Sequence, residues 1–338
     1  MDLSIIMPVY NAINTISRSI ESFLKLNQLC ELNCKLYVID DFSNDGTFEK
    51  IKFYSDDNAN IILIKNEKNI GPGLSRNLAF NYIKDGYIGF LDADDELIPE
   101  SYLSALTSGI NSNADWITFN GWFCSNHSES EKYDFTRLVD NTEELAKKSL
   151  RGELDGSVIF TIYSRNLILS NNLKFPSGFY EDIPFAYSAM LLANNRYISN
   201  RHAYKKHNIK SSIVNTISEK HINGLINSSK QIVENIVSYD ILSYEYFDSD
   251  KVYGIFGYIA NLIKSIIICS NSDETRAHLF EILSNKIKSS YEFKQLNYNV
   301  KTKKDKLASF FIQNYNSDYV EFEKAMKLYY QTIFNEKI

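Results

Sequence analysis

The stretch Tyr87-Ile88-Gly89-Phe90-Leu91-Asp92-Ala93-Asp94-Asp95-Glu96 joins an apolar run to four acidic residues within five positions. The run from Tyr87 to Leu91 predicts a buried strand. Clustered carboxylates repel and raise each other's pKa unless a cation lies among them. In an extended chain Asp92 and Asp94 point the same way, so they suit a hard divalent cation such as Mg²⁺ or Mn²⁺. The alternative is a solvated acidic turn before a helix that begins near Pro99.

Strands and helices alternate on the amino-terminal side of this stretch. Strands are predicted at Leu3 to Tyr10, Leu36 to Ile39 and Ile61 to Ile64, and helices at Ile13 to Leu24, from Thr47, and at Leu74 to Ile83. This order predicts an α/β fold of βαβ units with a mainly parallel sheet and flanking helices. Right-handed crossovers place the carboxyl ends of the strands on one edge, where ligands bind. Asp41, Asn69, Asp92 and Asp94 are therefore expected to converge.

The remainder of the chain divides near residue 215. Before it, strands are predicted at Trp116 to Phe119 and Val158 to Tyr163, an irregular polar insertion at Cys124 to Glu144, and a helix at Asp182 to Ala193. After it, proline is absent and helical periods dominate, at Ile222 to Tyr239, Val252 to Ile268, His278 to Ile287 and Tyr319 to Phe334. We predict an α/β domain over 1–215 and a helical domain over 216–338, in which Lys301 to Lys306 forms a solvated linker.

Composition narrows the class of protein. The chain has 338 residues, a net charge of −6 and 14% aromatic residues, which is typical of a packed globular protein without a basic nucleic-acid surface. Cys30 and Cys34 have no second Cys or His pair nearby to complete a zinc site. All four cysteines, Cys30, Cys34, Cys124 and Cys269, are predicted to be free thiols in a reducing compartment.

Targeting and membrane segments are not predicted. The amino terminus lacks the basic region of a signal peptide, and the apolar stretch Val252 to Cys269 is interrupted by Asn261 and Lys264. We expect a soluble, cytoplasmic protein, with contact at the inner face of a membrane as an option for the carboxy-terminal helices.

Several polar motifs have both a structural and a functional interpretation. Gly71-Pro72-Gly73 fails the dinucleotide-binding fingerprint, because Arg76 occupies the third glycine position and the pair follows the third strand. Arg76, one turn into a helix, is either a surface arginine or a group that meets a phosphate. Asp40-Asp41 either caps the turn at Ser43 or accepts hydrogen bonds from a uracil ring or a ribose.

Two further motifs lie in the second half of the α/β region. Asp182 either caps its helix or acts as a general base at the opposite lip of the crevice, with Glu181 beside it. His202 and His207 are either structural or metal-binding, and His207 is the candidate ligand to accompany Asp92 and Asp94.

Taken in order, these motifs resemble one family. Five segments carry the resemblance: Ser4 to Asn11, Val38 to Asp41 with Ser43 to Thr47, Asn69-x-Gly71 with Arg76-Asn77, Leu91 to Asp95, and Tyr180-Glu181-Asp182. Together they look like the family 2 glycosyltransferases with the GT-A fold, over about residues 1 to 215. The resemblance implies a nucleotide-sugar site of Pro8, Tyr10, Asn11, Asp41, Asn69, Arg76, Asp92 and Ala93. It further implies that Asp94, with Asp92, binds Mn²⁺ or Mg²⁺ and that Asp182 is the base.

The implied activity is inverting, metal-dependent transfer of a sugar from a UDP-sugar to a glycan or lipid-linked acceptor in bacterial surface polysaccharide synthesis. The alternative is a non-catalytic nucleotide-sugar-binding or scaffolding module on the same fold. The Gln-x-x-Arg-Trp signature of processive members is absent. A phosphohydrolase would need a nucleophilic Asp on the first strand, where the chain has Pro8-Val9-Tyr10. The carboxy-terminal helices match no motif, and acceptor handling, membrane-surface contact and homo-oligomerisation are all open to them.

Overall fold

The computed structural model describes residues 2–125, 128–135, 140–150, 152–207, 217–242, 258–267, 271–289 and 303–334. The chain forms two compact units. Unit 1 comprises Met1–Asp140 and Asp155–Ile209, and unit 2 comprises Asn141–Leu154 and Lys210–Ile338. The domain boundary predicted at residue 215 lies outside the described residues. The return segment 141–154 was not predicted.

Unit 1 contains nine strands and the helices that flank them within the described residues. The strands are β1 Asp2–Val9, β2 Asn33–Asp40, β3 Ile61–Lys65, β4 Tyr87–Phe90, β5 Glu96–Leu97, β6 Trp116–Ser125, β7 Ser128–Tyr133, β8 Thr161–Ser164 and β9 Arg196–His207. The helices are α1 Ile16–Leu29, α2 Thr47–Asp57, α3 Pro72–Ala79, α4 Pro99–Asn111, α6 Arg165–Ser170 and α7 Asp182–Leu192, with a 3₁₀ turn at Val158–Phe160.

The strands form one sheet in the order β3-β2-β1-β4-β8-β6-β9-β5, with β7 paired to β6. The pairs β1–β2, β2–β3 and β1–β4 are parallel. Beyond β4 the pairing is mixed, since β8 is antiparallel to β4 and to β6. The predicted α/β fold class is confirmed. The order places the carboxyl ends of β1, β2 and β4 side by side, which is where the polar motifs emerge.

An aromatic cluster packs around the end of β4 at this edge of the sheet. Phe90 ends β4, Phe185 lies in the first turn of α7, and Phe175 lies in the loop before it. The rings of Phe175 and Phe185 stack with centroids 3.9 Å apart, and Phe90 meets both edge-on at 5.5 and 6.0 Å. Such pairs favour a defined geometry beyond the burial of apolar area. The cluster therefore fixes the acidic end of β4 relative to the start of α7.

Four local predictions are corrected by the structure. The span Cys124 to Glu144 is not simply irregular in its described part, because β6 runs to Ser125, β7 pairs with β6, and helix α5 (Thr142–Leu150) begins within the span. Strand β9 was not predicted, since its sequence is mostly polar and charged, yet it pairs with both β5 and β6. Helix α6 was also missed. The lysine-rich linker is corrected in its described part, because Lys303 begins a helix.

The prediction of four free thiols is wrong for one pair. Cys30 follows the last residue of α1 and Cys34 lies in β2, so a short turn brings the two residues together and their sulfur atoms are bonded. Cys124 is buried and carries a reduced thiol. Cys269 lies outside the described residues.

Unit 2 is helical in its described part. Its helices are α5 Thr142–Leu150, α8 Glu219–Ser238, α9 at 258–267, α10 Asp273–Ser289, α11 Lys303–Asn314 and α12 Tyr319–Phe334. The predicted helix at Val252 to Ile268 is described only over 258–267. Phe280, Phe311 and Phe322 pack together with centroid distances of 4.6 to 5.6 Å, which joins α10, α11 and α12. Within the described residues, no helix combines the length and apolar character needed to span a bilayer.

Candidate active site

The loops that follow β1 and β2 are tied together by hydrogen bonds. The Asn11 amide donates to Ser43 Oγ at 3.0 Å, and the Asn44 amide donates to Asn11 Oδ1 at 3.0 Å. The Ala12 amide donates to Thr47 Oγ1 at 2.8 Å. We call residues 11–13 with 43–47 the clasp. Because side chains of each loop satisfy backbone groups of the other, the clasp fixes the chain just beyond both strands.

Two aromatic residues immediately precede the two halves of the clasp. Tyr10 is 52% exposed and Phe42 is 51% exposed. Phe42 has φ +69°, in the left-handed region. For a bulky residue this backbone conformation costs about 1–2 kcal/mol. Pro8, by contrast, is buried within β1.

Asp41 organises the loop that leads into α3. Its carboxylate accepts hydrogen bonds from the amides of Ile70 and Gly71 and from Asn66 Nδ2, each at 2.8 Å. The Asn69 side chain donates to the Asp41 carbonyl at 3.3 Å. The structure thus brings Asp41 and Asn69 together, as the strand-end argument requires. The turn-capping interpretation of Asp40-Asp41 is observed for Asp40, whose side chain accepts a hydrogen bond from the Ser43 amide at 3.3 Å.

Arg76 is a buried bridge and not a surface arginine. It is 5% exposed, its Nη2 lies 3.0 Å from Asp92 Oδ1, and its Nη1 lies 2.9 Å from Glu181 Oε1. Burial raises the pKa of the Glu181 carboxyl, and the Arg76 charge opposes that rise. The guanidinium therefore links the acidic end of β4 to the residue that precedes α7.

The acidic stretch is a turn and not an extended strand. Strand β4 ends at Phe90, and the Asp95 amide donates to the Asp92 carbonyl at 3.1 Å. Asp92 and Asp94 were expected to point the same way along an extended chain, and the extended conformation on which that expectation rests is wrong. Asp92 still acts on Asp94, because its charge, after burial, is a cause of the raised Asp94 pKa.

Strand β9 holds this turn from the other side. The Asp92 amide donates to Tyr204 Oη at 3.0 Å, and the Tyr204 hydroxyl donates to Asp95 Oδ2 at 2.9 Å. The His207 amide donates to Asp95 Oδ1 at 2.7 Å. Tyr204 and Asp95 are buried supports of the site that sequence reasoning missed, because the strand that carries Tyr204 was not predicted.

The acidic turn has the chemistry for a divalent cation. Burial and the Asp92 charge raise the pKa of Asp94 to about 6, so a cation beside Asp94 would relieve an unfavourable charge. His207 is not available in the same way, because its Nε2 lies 2.7 Å from Glu96 Oε1. Among the described residues, no group of three or more His, Cys, Asp or Glu side chains is arranged to hold a metal ion. The hard carboxylate oxygens of Asp94 and Asp92 are of the type that could hold Mg²⁺ or Mn²⁺.

Asp182 is the first residue of α7. Burial and the neighbouring Glu181 charge raise the pKa of Asp182 to about 7, against the opposing charges of Arg76 and Lys206. Its side chain is nevertheless partly accessible to solvent. A carboxylate with a pKa near neutrality is suited to accept a proton at physiological pH.

Gly73 allows α3 to approach the loop that carries Glu181. A Cβ at this position would overlap Glu181 Cγ and lie 3.0 Å from the Pro176 carbonyl oxygen. Gly71, which precedes α3, has φ +87°. The Gly-Pro-Gly sequence thus serves a turn and a close contact between α3 and the Glu181 loop.

Comparison with known proteins identifies the family. Residues 4–169 match the model described as Glycosyl transferase family 2. The chain is 24% identical over 231 residues to the uncharacterized glycosyltransferase YibD of Escherichia coli K12, a match that covers 65% of this chain and 66% of YibD. It is 34% identical over 145 residues to the E. coli UDP-Glc:alpha-D-GlcNAc-diphosphoundecaprenol beta-1,3-glucosyltransferase WfgD, covering 41% of this chain and 55% of WfgD. The chain thus spans less than two thirds of either relative.

The fold has close counterparts among solved structures. TarS 1-349 from S. aureus in complex with UDP superposes with a TM-score of 0.68 at 18% identity, covering 98% of this chain and 92% of that one. The UDP-GlcNAc complex of the same fragment gives a TM-score of 0.55 at 17% identity, covering 99% and 91%. At this level of identity the likeness concerns the fold. The chain adopts the GT-A fold, and its residues 4–169 match glycosyl transferase family 2.

Proposed function

We propose that this protein is an inverting, metal-dependent transferase that moves a sugar from a UDP-sugar to a hydroxyl of a glycan or lipid-linked acceptor in surface polysaccharide synthesis. The observation that carries the proposal is the buried Arg76 bridge between Asp92 and Glu181. The name of WfgD specifies UDP-Glc and a diphosphoundecaprenol acceptor, and TarS has been solved with UDP and UDP-GlcNAc. Both support a nucleotide-sugar donor for this chain.

Asp182 would remove the acceptor's proton. As the acceptor oxygen forms its bond to the anomeric carbon, its proton passes to a carboxylate oxygen of Asp182, and the bond from that carbon to UDP breaks with UDP as the leaving group. One displacement from the opposite face inverts the anomeric centre. General-base assistance of this kind contributes about 10²–10⁴ in rate.

The nucleotide would lie at the strand ends that hold Asp41 and Tyr10. Asp41 is fixed by three hydrogen bonds from the 66–71 loop, and a remaining lone pair of its carboxylate would accept a bond from the base or ribose. Asp94 and Asp92 would hold the divalent cation, which when bound neutralises charge on the diphosphate. Arg76 pairs with the Asp92 and Glu181 carboxylates and would hold both in place while substrate binds.

UDP release from a panel of UDP-sugars, with and without acceptor, tests the proposal. The transferase account predicts release that depends on acceptor and on Mn²⁺ or Mg²⁺. Isothermal titration with UDP separates the remaining possibilities. Binding of UDP without turnover of any donor and acceptor would favour a binding module on the same fold, and no binding of UDP would contradict a nucleotide-sugar site.

A further inference from the structure

Two exposed aromatic residues follow neighbouring strands, Tyr10 directly after β1 and Phe42 directly after Asp41 at the end of β2. Val9 and Asp40 are paired in the β1–β2 register, and the Asp41 amide donates to the Val9 carbonyl at 2.7 Å. Tyr10 and Phe42 are the next residues to leave each strand end, and about half of each side chain is open to solvent. Both lead directly into the clasp, so their backbones are held.

Phe42 combines a bulky side chain with a backbone conformation that favours other residue types. Its backbone lies in the left-handed region, which glycine and asparagine adopt readily and bulky residues avoid. Asn11, on the opposite half of the clasp, also has a positive φ and is of a type that tolerates it. About half of Phe42 is open to solvent, so packing within the protein uses only part of its ring. A strained residue with an open aromatic surface is a mark of a binding site.

We propose that Phe42 is a nucleobase-binding residue, whose ring lies against the base of the nucleoside diphosphate in the donor. The inference rests on the proposed function and adds to it a residue that sets donor affinity. A flat heteroaromatic base has a π face that stacks on an aromatic ring whatever its edge groups. The neighbouring Asp41 carboxylate, held at 2.8 Å by backbone amides, supplies polar recognition at the edge of the base. Phe42 thus contributes contact area, and Asp41 contributes choice of base.

Phe42→Asn removes the ring and reduces the strain of the left-handed backbone at this position. The variant should therefore lose the contact with the base without losing stability. We expect a melting temperature equal to or above that of wild type, and a UDP dissociation constant raised about tenfold in isothermal titration with Mn²⁺. Phe42→Tyr keeps a ring and should keep UDP affinity. Phe53→Ala is the matched control, because Phe53 is 67% exposed on α2 and should not affect UDP. Competition by inorganic pyrophosphate, which has no base, should be equal in wild type and Phe42→Asn.

Three results would overturn the inference, and they differ from one another. Unchanged UDP affinity in Phe42→Asn, with a raised acceptor KM, would place Phe42 against the acceptor and leave the proposed function standing. An equal loss of UDP and pyrophosphate affinity would mean a distorted site and no contact with the base. If wild type bound no nucleoside diphosphate, the proposed function itself would fail. Should Phe42→Asn not fold, Phe42→Gly accepts the same backbone and replaces it in each arm.

Discussion

Arg76 lies between Asp92 and Glu181, with one terminal nitrogen 3.0 Å from Asp92 Oδ1 and the other 2.9 Å from Glu181 Oε1. One buried cation therefore serves two carboxylates that come from segments 105 and 16 residues away in sequence. A guanidinium suits this role, because its donors form a rigid fork. The bridge leaves local negative charge in excess, consistent with the raised pKa values of Asp94 and Asp182.

Replacing Arg76 should destabilise unit 1. In Arg76→Ala, the buried Glu181 carboxylate and the partly exposed Asp92 carboxylate lose their counter-ion. Breaking a buried pair such as Arg76–Glu181 costs about 3–5 kcal/mol. For a domain of this size that corresponds to a fall of about 6–20 °C in melting temperature. Calorimetry at pH 7.5 measures it.

Two variants check the cause of that loss. Arg76→Lys should recover only part of the stability, because one ammonium group does not reproduce the fork. Adding Glu181→Gln to Arg76→Ala should recover more, since it removes one unpaired charge. A double variant as unstable as the sum of both single changes would show that the bridge is not what stabilises this region.

Asp94→Asn should stabilise the metal-free protein in a pH-dependent manner. The pKa of Asp94 is about 6 in the folded protein, above its usual value. A raised pKa means that wild type is most favoured at low pH and loses stability as pH rises through about 6. The variant does not titrate there, so its advantage should grow from about pH 4 to pH 7 and reach about 1–2 kcal/mol after solvent screening.

Added Mn²⁺ should make wild type more stable than Asp94→Asn, the reverse of their order without metal. Wild type gains stability when a cation binds the acidic turn, whereas an amide is a poor ligand for a hard cation. Transfer activity in Asp94→Asn should be lost together with this stabilisation. If Mn²⁺ stabilised both proteins equally, or if EDTA left wild-type transfer intact, Asp94 would not be a metal ligand.

Gly73→Ala should couple a small steric change to activity. The added methyl group would overlap Glu181 Cγ and press on the Pro176 carbonyl. Overpacking of this kind costs about 1–3 kcal/mol and would shift the loop that positions Asp182. We expect a lower melting temperature and a lower kcat. Gly152→Ala, at a glycine of unit 2 with no atom within 3.4 Å of the added carbon, should cost stability through its backbone alone and leave kcat unchanged.

The dependence of rate on pH should report Asp182. Burial and the Glu181 charge raise its pKa to about 7, so the deprotonated base forms as pH rises through that value. kcat/KM should rise tenfold per pH unit below about 7 and level off above. Glu181→Gln removes a cause of the raised pKa and should move the profile to lower pH. A profile that stayed in place or moved upward would contradict this assignment.

The sequence predicted the parts of the fold that rest on strong periodicity. Strands β1 to β4 are short apolar runs ending in polar residues, and their parallel pairing follows from the helices between them. Strand β9 was not predicted, because its residues Arg196 to His207 are largely polar and half exposed. Its place in the sheet comes from pairing with β5 and β6, which no local pattern reveals.

The same limit applies to the candidate site. The sequence motifs predicted Asp41, Arg76, Asp92 and Glu181 as site residues. They did not predict which of these side chains contact each other. The Arg76 bridge depends on the approach of α3 to the loop before α7, which Gly73 permits and the sequence alone does not display. Tyr204 was not predicted for a related reason. It contacts Asp92 and Asp95 only because strand β9 packs beside the acidic turn.

The kcat of Asp182→Asn at saturating acceptor tests the central claim most directly. Asparagine is nearly the same size and begins a helix about as well, so the fold and UDP affinity should be retained. An amide does not accept the acceptor's proton, and we predict a kcat lowered about 10²-fold or more. Because the raised pKa of Asp182 makes its charged form unfavourable in the folded protein, the melting temperature should be equal to or above that of wild type. Asp57→Asn, the same change at an exposed position on α2, should have no effect. If Asp182→Asn kept most of its kcat, Asp182 would not be the base, and the proposed mechanism would be wrong.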